Sequence, residues 1–85
     1  MAVETTSVAL TNAAYVALSA SDASVTVRCN DSPLRLFVGT SLPAVGIDTW
    51  YPLDPNEEIH FEGLSTENVY ALSVNATGTA RIIRA

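Results

Sequence analysis

Apolar and polar side chains alternate with a period of two along most of the chain, as in β-strands that bury one face. The clearest segment is 23–29, where Val25, Val27 and Cys29 point to one face and Arg28 to the other. No window of about 11 residues keeps the roughly 3.6-residue period of an amphipathic helix. The pattern therefore predicts an all-β protein.

The alternating segments recur about every 8–12 residues and are separated by turns that contain Pro, Gly or Asn, a spacing typical of β-sandwiches and barrels. We expect a small, jelly-roll-like β-sandwich of about eight short antiparallel strands. The predicted strands are residues 5–10, 13–19, 23–29, 34–38, 45–53, 58–62, 68–74 and 79–84.

Two predicted strands carry apolar side chains on both faces. Phe37 lies opposite the face formed by Leu34 and Leu36, and the consecutive Ile82 and Ile83 point in opposite directions. A strand with this pattern is either central in a two-layer sandwich or has one face in an interface with another molecule.

The chain has 85 residues, which indicates one domain, residues 1–85, with an extended N-terminal arm at about residues 1–10. A domain of this size removes only roughly 60–65% of the surface of its unfolded chain from water. Cys29 is the only cysteine, so neither an internal disulfide nor a Cys-His zinc site can add stability. Because 48% of the residues are apolar, we expect support from oligomerisation or docking instead.

The net charge of −5 argues against a nucleic-acid partner, because phosphate binding needs a basic surface. The charges are unevenly distributed: residues 48–67 contain acidic side chains and no Lys or Arg, whereas Arg81 and Arg84 follow near the end. Copies of the chain could therefore meet head to tail, with Arg35, Arg81 and Arg84 against the acidic stretch 54–62, or bind a basic scaffold. The alternative is a solvated acidic loop.

No residue pattern predicts catalysis, and we expect a protein that is not an enzyme and has no cofactor, catalytic residues or metal ligands. His60 is the only histidine and shares a strand face with Glu58 and Glu62, which is the one combination that suggests acid–base or metal chemistry. A solvated strand face explains the same three residues. Cys29 has no second thiol and is interpreted as a small buried apolar residue.

The N-terminus lacks the basic and apolar regions of a secretory signal, and no apolar run approaches the ~20 residues that span a bilayer. We therefore expect a protein that is made in the cytoplasm and does not contact a membrane.

Trp50, Tyr51 and Tyr70 allow two interpretations. Aromatic side chains beside acidic ones can form a platform for sugar rings, but aromatics at this spacing also occur in cores and subunit interfaces. We expect packing or assembly.

Four stretches together resemble small bacteriophage virion proteins of the capsid decoration (cement) or head-fibre and tail-adaptor type. They are Leu36-Phe-Val-Gly-Thr-Ser-Leu-Pro43, Trp50-Tyr-Pro-Leu-Asp-Pro-Asn-Glu57, Val69-Tyr-Ala-Leu-Ser73 and Gly78-Thr-Ala-Arg-Ile-Ile83. The resemblance covers about the last 50 residues and concerns the pattern of strands and turns.

The resemblance implies a non-enzymatic homotrimer on the capsid surface of a virion, which contacts neighbouring copies and the major capsid protein and so stabilises capsid subunits. The alternative is a carbohydrate- or receptor-binding module of a phage fibre or tail. The residues expected at the interface are Arg35, Phe37, Trp50, Tyr51, Tyr70, Arg81 and Arg84.

Overall fold

Eight β-strands run through the residues that the structure, a computed structural model, describes, namely 4–19, 22–47 and 49–84. No helix of the length and apolarity needed to cross a bilayer is found in these ranges. The strands are β1 (Glu4–Thr11), β2 (Val16–Ala17), β3 (Val25–Cys29), β4 (Leu34–Gly39), β5 (Tyr51–Leu53), β6 (Glu58–Phe61), β7 (Asn68–Ser73) and β8 (Thr77–Arg84).

The strands form two antiparallel sheets of four strands each. The first sheet has the order β1-β8-β3-β6 and the second the order β2-β7-β4-β5. Apart from the consecutive pair β4 and β5, the chain changes sheet at every connection, and this order is that of a jelly roll. The prediction of a jelly-roll-like sandwich with about eight short antiparallel strands is confirmed.

The main core lies between the two sheets and contains the inward face of each alternating segment. Val25, Val27 and Cys29 are fully buried while Arg28 between them is exposed, as the period-two pattern predicts. The buried residues of this core are Leu10, Leu18, Val25, Val27, Cys29, Leu34, Leu36, Leu53, Val69, Ala71, Ala80 and Ile82.

A second, smaller apolar cluster lies on the outer face of the second sheet. Tyr15, Tyr70 and Leu72 are buried there, and Phe37 and Ile47 pack against them. The ring centroids of Phe37 and Tyr70, which face each other across β4 and β7, are 6.5 Å apart. β4 is paired on both sides, so the strand that the sequence shows to be apolar on both faces is central in its sheet.

The Tyr15 hydroxyl is buried in this cluster and has no hydrogen-bond partner among the described residues. Burial raises the pKa of Tyr15, because the low-polarity surroundings disfavour the phenolate, and the positive charge of Arg35 opposes this shift. The Tyr15 hydroxyl therefore contributes little to the stability of the second cluster.

The predicted strand 45–53 is a strand only over Tyr51–Leu53. Val45 and Gly46 form a turn that is closed by a hydrogen bond from the Ile47 amide to the Ala44 carbonyl, 3.1 Å long. The chain bends here because it passes from β4 over the second cluster, where Ile47 packs, before it returns to pair as β5. Asp48 lies outside the described residues.

The N-terminal third also differs in detail from the prediction. The strand expected over 13–19 is reduced to Val16–Ala17, although Tyr15 and Leu18 point into different clusters as the alternation requires. Residues 4–10 of the expected N-terminal arm belong to β1, which pairs with β8 along its whole length. Residues 1–3 lie outside the described residues.

The acidic turn between β5 and β6 follows the sequence prediction. The Glu57 amide donates to the Asp54 carbonyl and the Asp54 amide donates to Glu57 Oε1, at 3.0 and 2.7 Å. Asn56 adopts a left-handed conformation with φ of 69°, which asparagine tolerates better than most residues. Its amide donates to the Cys29 carbonyl, so the turn is tied to the end of β3.

We expect Ile82→Ala and Ile83→Ala to differ strongly in their effects, although the two residues are neighbours of the same type. Ile82 is 1% exposed in the main core, and its truncation should lower the free energy of unfolding by about 2–4 kcal/mol. Ile83 is 45% exposed, and its truncation should change this free energy by less than about 0.5 kcal/mol. Urea denaturation of both variants measures the difference, and equal losses would contradict the assignment of faces on β8.

We expect Tyr15→Phe to leave the free energy of unfolding unchanged or to raise it by about 1 kcal/mol, because the lost hydroxyl has no partner. The substitution should also alter the response to alkali. Since the pKa of Tyr15 is higher in the folded than in the unfolded chain, its ionisation weakens folding as the pH rises through about 10, the ordinary tyrosine pKa. Tyr15→Phe should reduce this loss, whereas Tyr51→Phe at an exposed position should not. Denaturation at neutral and alkaline pH tests both statements.

Candidate functional site

The seven predicted interface residues do not form one surface. Because Leu34 and Leu36 point into the main core, Arg35 and Phe37 of β4 point to the outer face of the second sheet. Tyr70 lies beside Phe37 on this face, and Trp50 is reached by Arg35. The structure thus brings together Arg35, Phe37, Trp50 and Tyr70.

The side chains of Arg35 and Trp50 are in contact. The guanidinium carbon lies 4.4 Å from the centroid of the Trp50 ring, within the range of a cation–π contact. Arg35 is only partly exposed, and its Nε atom is buried without a hydrogen-bond partner in the described part of the chain. The contact joins β4 to the residue that precedes β5. The positive charge of Arg35 therefore already interacts with a side chain of its own domain.

Trp50, Tyr51 and Tyr70 are not arranged as a common platform. Tyr70 is 6% exposed and packs in the second cluster. Tyr51 is 56% exposed and lies in register with Leu36, on the face of β5 opposite to that of Pro52 and Arg35. A sugar ring could therefore contact these three aromatic side chains together only after a rearrangement of the second sheet.

Arg81 lies on the opposite side of the sandwich, on the outer face of the first sheet. The strand register places Ser7, Arg81, Arg28 and Glu58 in one row across β1, β8, β3 and β6. A neighbouring row contains Thr5, Ile83, Thr26 and His60. A shallow groove of about 100 Å³ lies between the rows and is lined by Thr5, Thr26, Arg28, Glu58, Arg81, Ile82 and Ile83.

Arg28 is the residue that the sequence-based site prediction missed. Its alternation with Val27 and Cys29 places it outward, but only the pairing of β3 with β8 places it directly beside Arg81. Like charges in directly opposed strand positions repel, and neither guanidinium forms an ion pair with a described residue. Arg84, by contrast, lies in the row of Val25 at the end of β8, away from Arg81.

A further group of exposed side chains lies between the end of β4 and the start of β5. Val38, Leu42, Val45 and Tyr51 each expose between 39% and 59% of their surface, and we call them the β4–β5 apolar segment. Large apolar side chains that are exposed singly are ordinary, but a group of them often marks a contact site. Sequence analysis assigned Val45 and Tyr51 to one strand, 45–53, whereas the strand is formed only over Tyr51–Leu53 and both side chains are exposed.

His60 makes two polar contacts on the outer face of the first sheet. Its Nδ1 atom lies 2.7 Å from the Thr26 hydroxyl and its Nε2 atom 3.8 Å from Glu62 Oε1. The order hydroxyl, imidazole, carboxylate is that of a catalytic triad, but the carboxylate is too distant for a hydrogen bond and its side chain is 79% exposed. Glu62 therefore does not hold the imidazole in one orientation, as a triad carboxylate must.

The described residues contain no group of three or more His, Cys, Asp or Glu placed to hold a metal ion. Cys29 is buried, and its thiol donates to the Ser32 carbonyl at 2.7 Å. Burial raises the pKa of this thiol, and the negative charges of Asp31, Asp54 and Glu57 raise it further. The thiolate is thus disfavoured at neutral pH, and Cys29 serves the packing of the core.

The chain matches no protein-family model, no curated protein and no solved structure. Its resemblance to small phage virion proteins therefore remains a prediction from the sequence pattern, and its fold is assigned from the strand order alone.

Proposed function

We propose that this chain is a non-enzymatic structural protein of a bacteriophage virion, a capsid decoration (cement) protein that acts as a homotrimer on the capsid surface. It would bind the major capsid protein and its own copies, and so bridge and stabilise capsid subunits. The observation that carries the proposal is the exposure of the four side chains of the β4–β5 apolar segment.

The apolar segment favours a protein partner. Val38, Leu42 and Val45 have aliphatic side chains, which gain free energy by contact with other apolar side chains and offer nothing to a phosphate or a sugar hydroxyl. The net charge of −5 also disfavours nucleic acid. A partner protein whose surface combines apolar and basic residues fits both the apolar segment and the negative net charge of this chain.

The jelly-roll fold is compatible with this role, since viral capsid domains and lectins are among its uses. A shared fold does not by itself imply a shared function, so this argument supports the proposal by analogy only. The lectin analogy favours the alternative of a carbohydrate-binding module. The separation of Tyr70 from Tyr51 gives that alternative less support.

Bridging requires at least two contact surfaces on one domain, and two separate exposed surfaces support the proposal. The Arg28–Arg81 pair lies on the outer face of the first sheet, whereas the β4–β5 apolar segment belongs to two strands of the second sheet and their connection. One surface can bind a capsid subunit while the other binds a neighbouring copy. Contacts of modest strength, repeated over many positions of a shell, then add up by avidity.

Cryo-electron microscopy of purified phage particles that contain the protein tests the proposal. We expect density for three copies at threefold or quasi-threefold positions on the outer capsid surface. Density in a tail or fibre, together with binding on a glycan array that is lost in Trp50→Ala, would support the alternative.

We expect the double variant Leu42→Ser, Val45→Ser to bind capsids less tightly than the unchanged protein by roughly tenfold or more, because each buried aliphatic side chain contributes about 1–2 kcal/mol. Val74→Ser is the matched control, since Val74 is similarly exposed but lies in the turn between β7 and β8. Co-sedimentation with capsids that lack the protein measures the binding. Equal binding by the double variant and the control would contradict the role of the segment.

A further inference from the structure

β1 is a long edge strand with an unprotected edge. It has eight residues and pairs with β8 on one side, and no described residue pairs with its other side. Residues 5–11 contain no charged residue, no proline and no glycine. Its free edge therefore presents a row of backbone amide and carbonyl groups without any of the usual features that prevent another strand from pairing.

The other three sheet edges are each protected. β2 has only two residues, and β5 has three, one of which is Pro52. β6 has four residues and carries the polar side chains of Glu58 and His60. Since short strands, prolines and charges protect the other edges, the long edge of β1, which is uncharged over residues 5–11, is the exception in this fold.

We propose that β1 pairs with β1 of a second copy in antiparallel orientation, so that the two first sheets form one continuous eight-stranded sheet. The contact is β-strand addition between identical chains, in which backbone hydrogen bonds supply the attraction and side chains set the register. The inference goes beyond the proposed function and does not depend on it, because it rests on the backbone edge of β1 and on no contact with a capsid.

The sequence of β1 selects the register. The uncharged part of the strand, residues 5–11, overlaps completely with itself only when Val8 faces Val8 of the second copy. Thr5 then faces Thr11, Thr6 faces Leu10 and Ser7 faces Ala9. Each pair joins residues that point to the same side of the sheet, and threonine pairs across strands are favourable.

Charge and burial favour the antiparallel orientation. In this arrangement the two Glu4 residues lie at opposite ends of the strand pair, whereas a parallel pair in register would place them side by side. The twofold axis is perpendicular to the sheet, so both main cores lie on the same side of the continuous sheet. A twofold axis along the strands would place the two cores on opposite sides.

The β1 contact leaves the β4–β5 apolar segment available. β1 packs against β7 across the core, and β7 is the neighbour of β2 in the second sheet. β5 forms the opposite edge of the second sheet, with β4 between it and β7. A chain can therefore use the two surfaces at the same time.

The first test adds one lysine to the edge. Ala9 is exposed, points to the outer face and lies beside the uncharged Thr79, so Ala9→Lys leaves the fold intact. Sedimentation of the isolated full-length chain should show pairing that depends on concentration, and Ala9→Lys should abolish it. Thr77→Lys is the control, because it adds the same charge to the same outer face at an exposed position on β8, one strand away from the edge.

The second test measures the register. A mixture of Ser7→Cys and Ala9→Cys chains should form a disulfide between the two variants under mild oxidation, because opposed strand positions lie within disulfide distance. Chains that carry Thr77→Cys should form far less of such an intermolecular disulfide. Cys29 is buried in every variant, so it does not contribute to the cross-link.

Three results would overturn the inference. The first is an unchanged chain that remains monomeric at all concentrations. The second is equal pairing by Ala9→Lys and Thr77→Lys. The third is a cross-link between Ser7→Cys and Ala9→Cys that does not exceed the control. Pairing that persists in a protein without capsid affinity would refute the proposed function and leave the β1 contact standing.

Discussion

The pairing of β8 with both β1 and β3 holds the first sheet together and closes one side of the main core. β8 lies inside the first sheet and contributes Ala80 and Ile82 to the middle of the main core. Because β1 is the first described strand and β8 the last, the first sheet is complete only when these two strands pair. The fold is therefore built on contacts between residues distant in sequence, and the loss of either strand would open the core to water.

The second sheet has a different arrangement, because β4 and β7 are apolar on both faces. Their inner residues complete the main core, and their outer residues form the second cluster with Tyr15. This cluster leaves the Tyr15 hydroxyl and Arg35 Nε without hydrogen-bond partners among the described residues. Apolar packing on this face thus comes at some cost to polar groups, which are normally satisfied when buried.

The second cluster gives two of the aromatic residues a role in packing. Phe37 and Tyr70 stabilise the domain itself by covering the outer face of the second sheet. The chain that passes over this face carries Leu42 and Val45, and these side chains face solvent. The exposed apolar side chains on this side therefore lie in the connection between β4 and β5. The outer face of the first sheet, on the opposite side of the sandwich, carries Arg28 and Arg81.

The fold class and the inward face of most strands could be predicted from the sequence, because period-two alternation depends only on neighbouring residues. Val25, Val27 and Cys29 are buried as that alternation requires, and the turn at 54–57 follows from its Asp, Pro and Asn. Which strands are neighbours follows from the folded arrangement, which puts Arg28 beside Arg81 and leaves the outer edge of β1 without a described strand. The folded arrangement also decided that Tyr70 is buried and Tyr51 exposed, although both are aromatic residues in strands. Burial of such a residue depends on what another part of the chain places over it, and a local pattern does not contain that information.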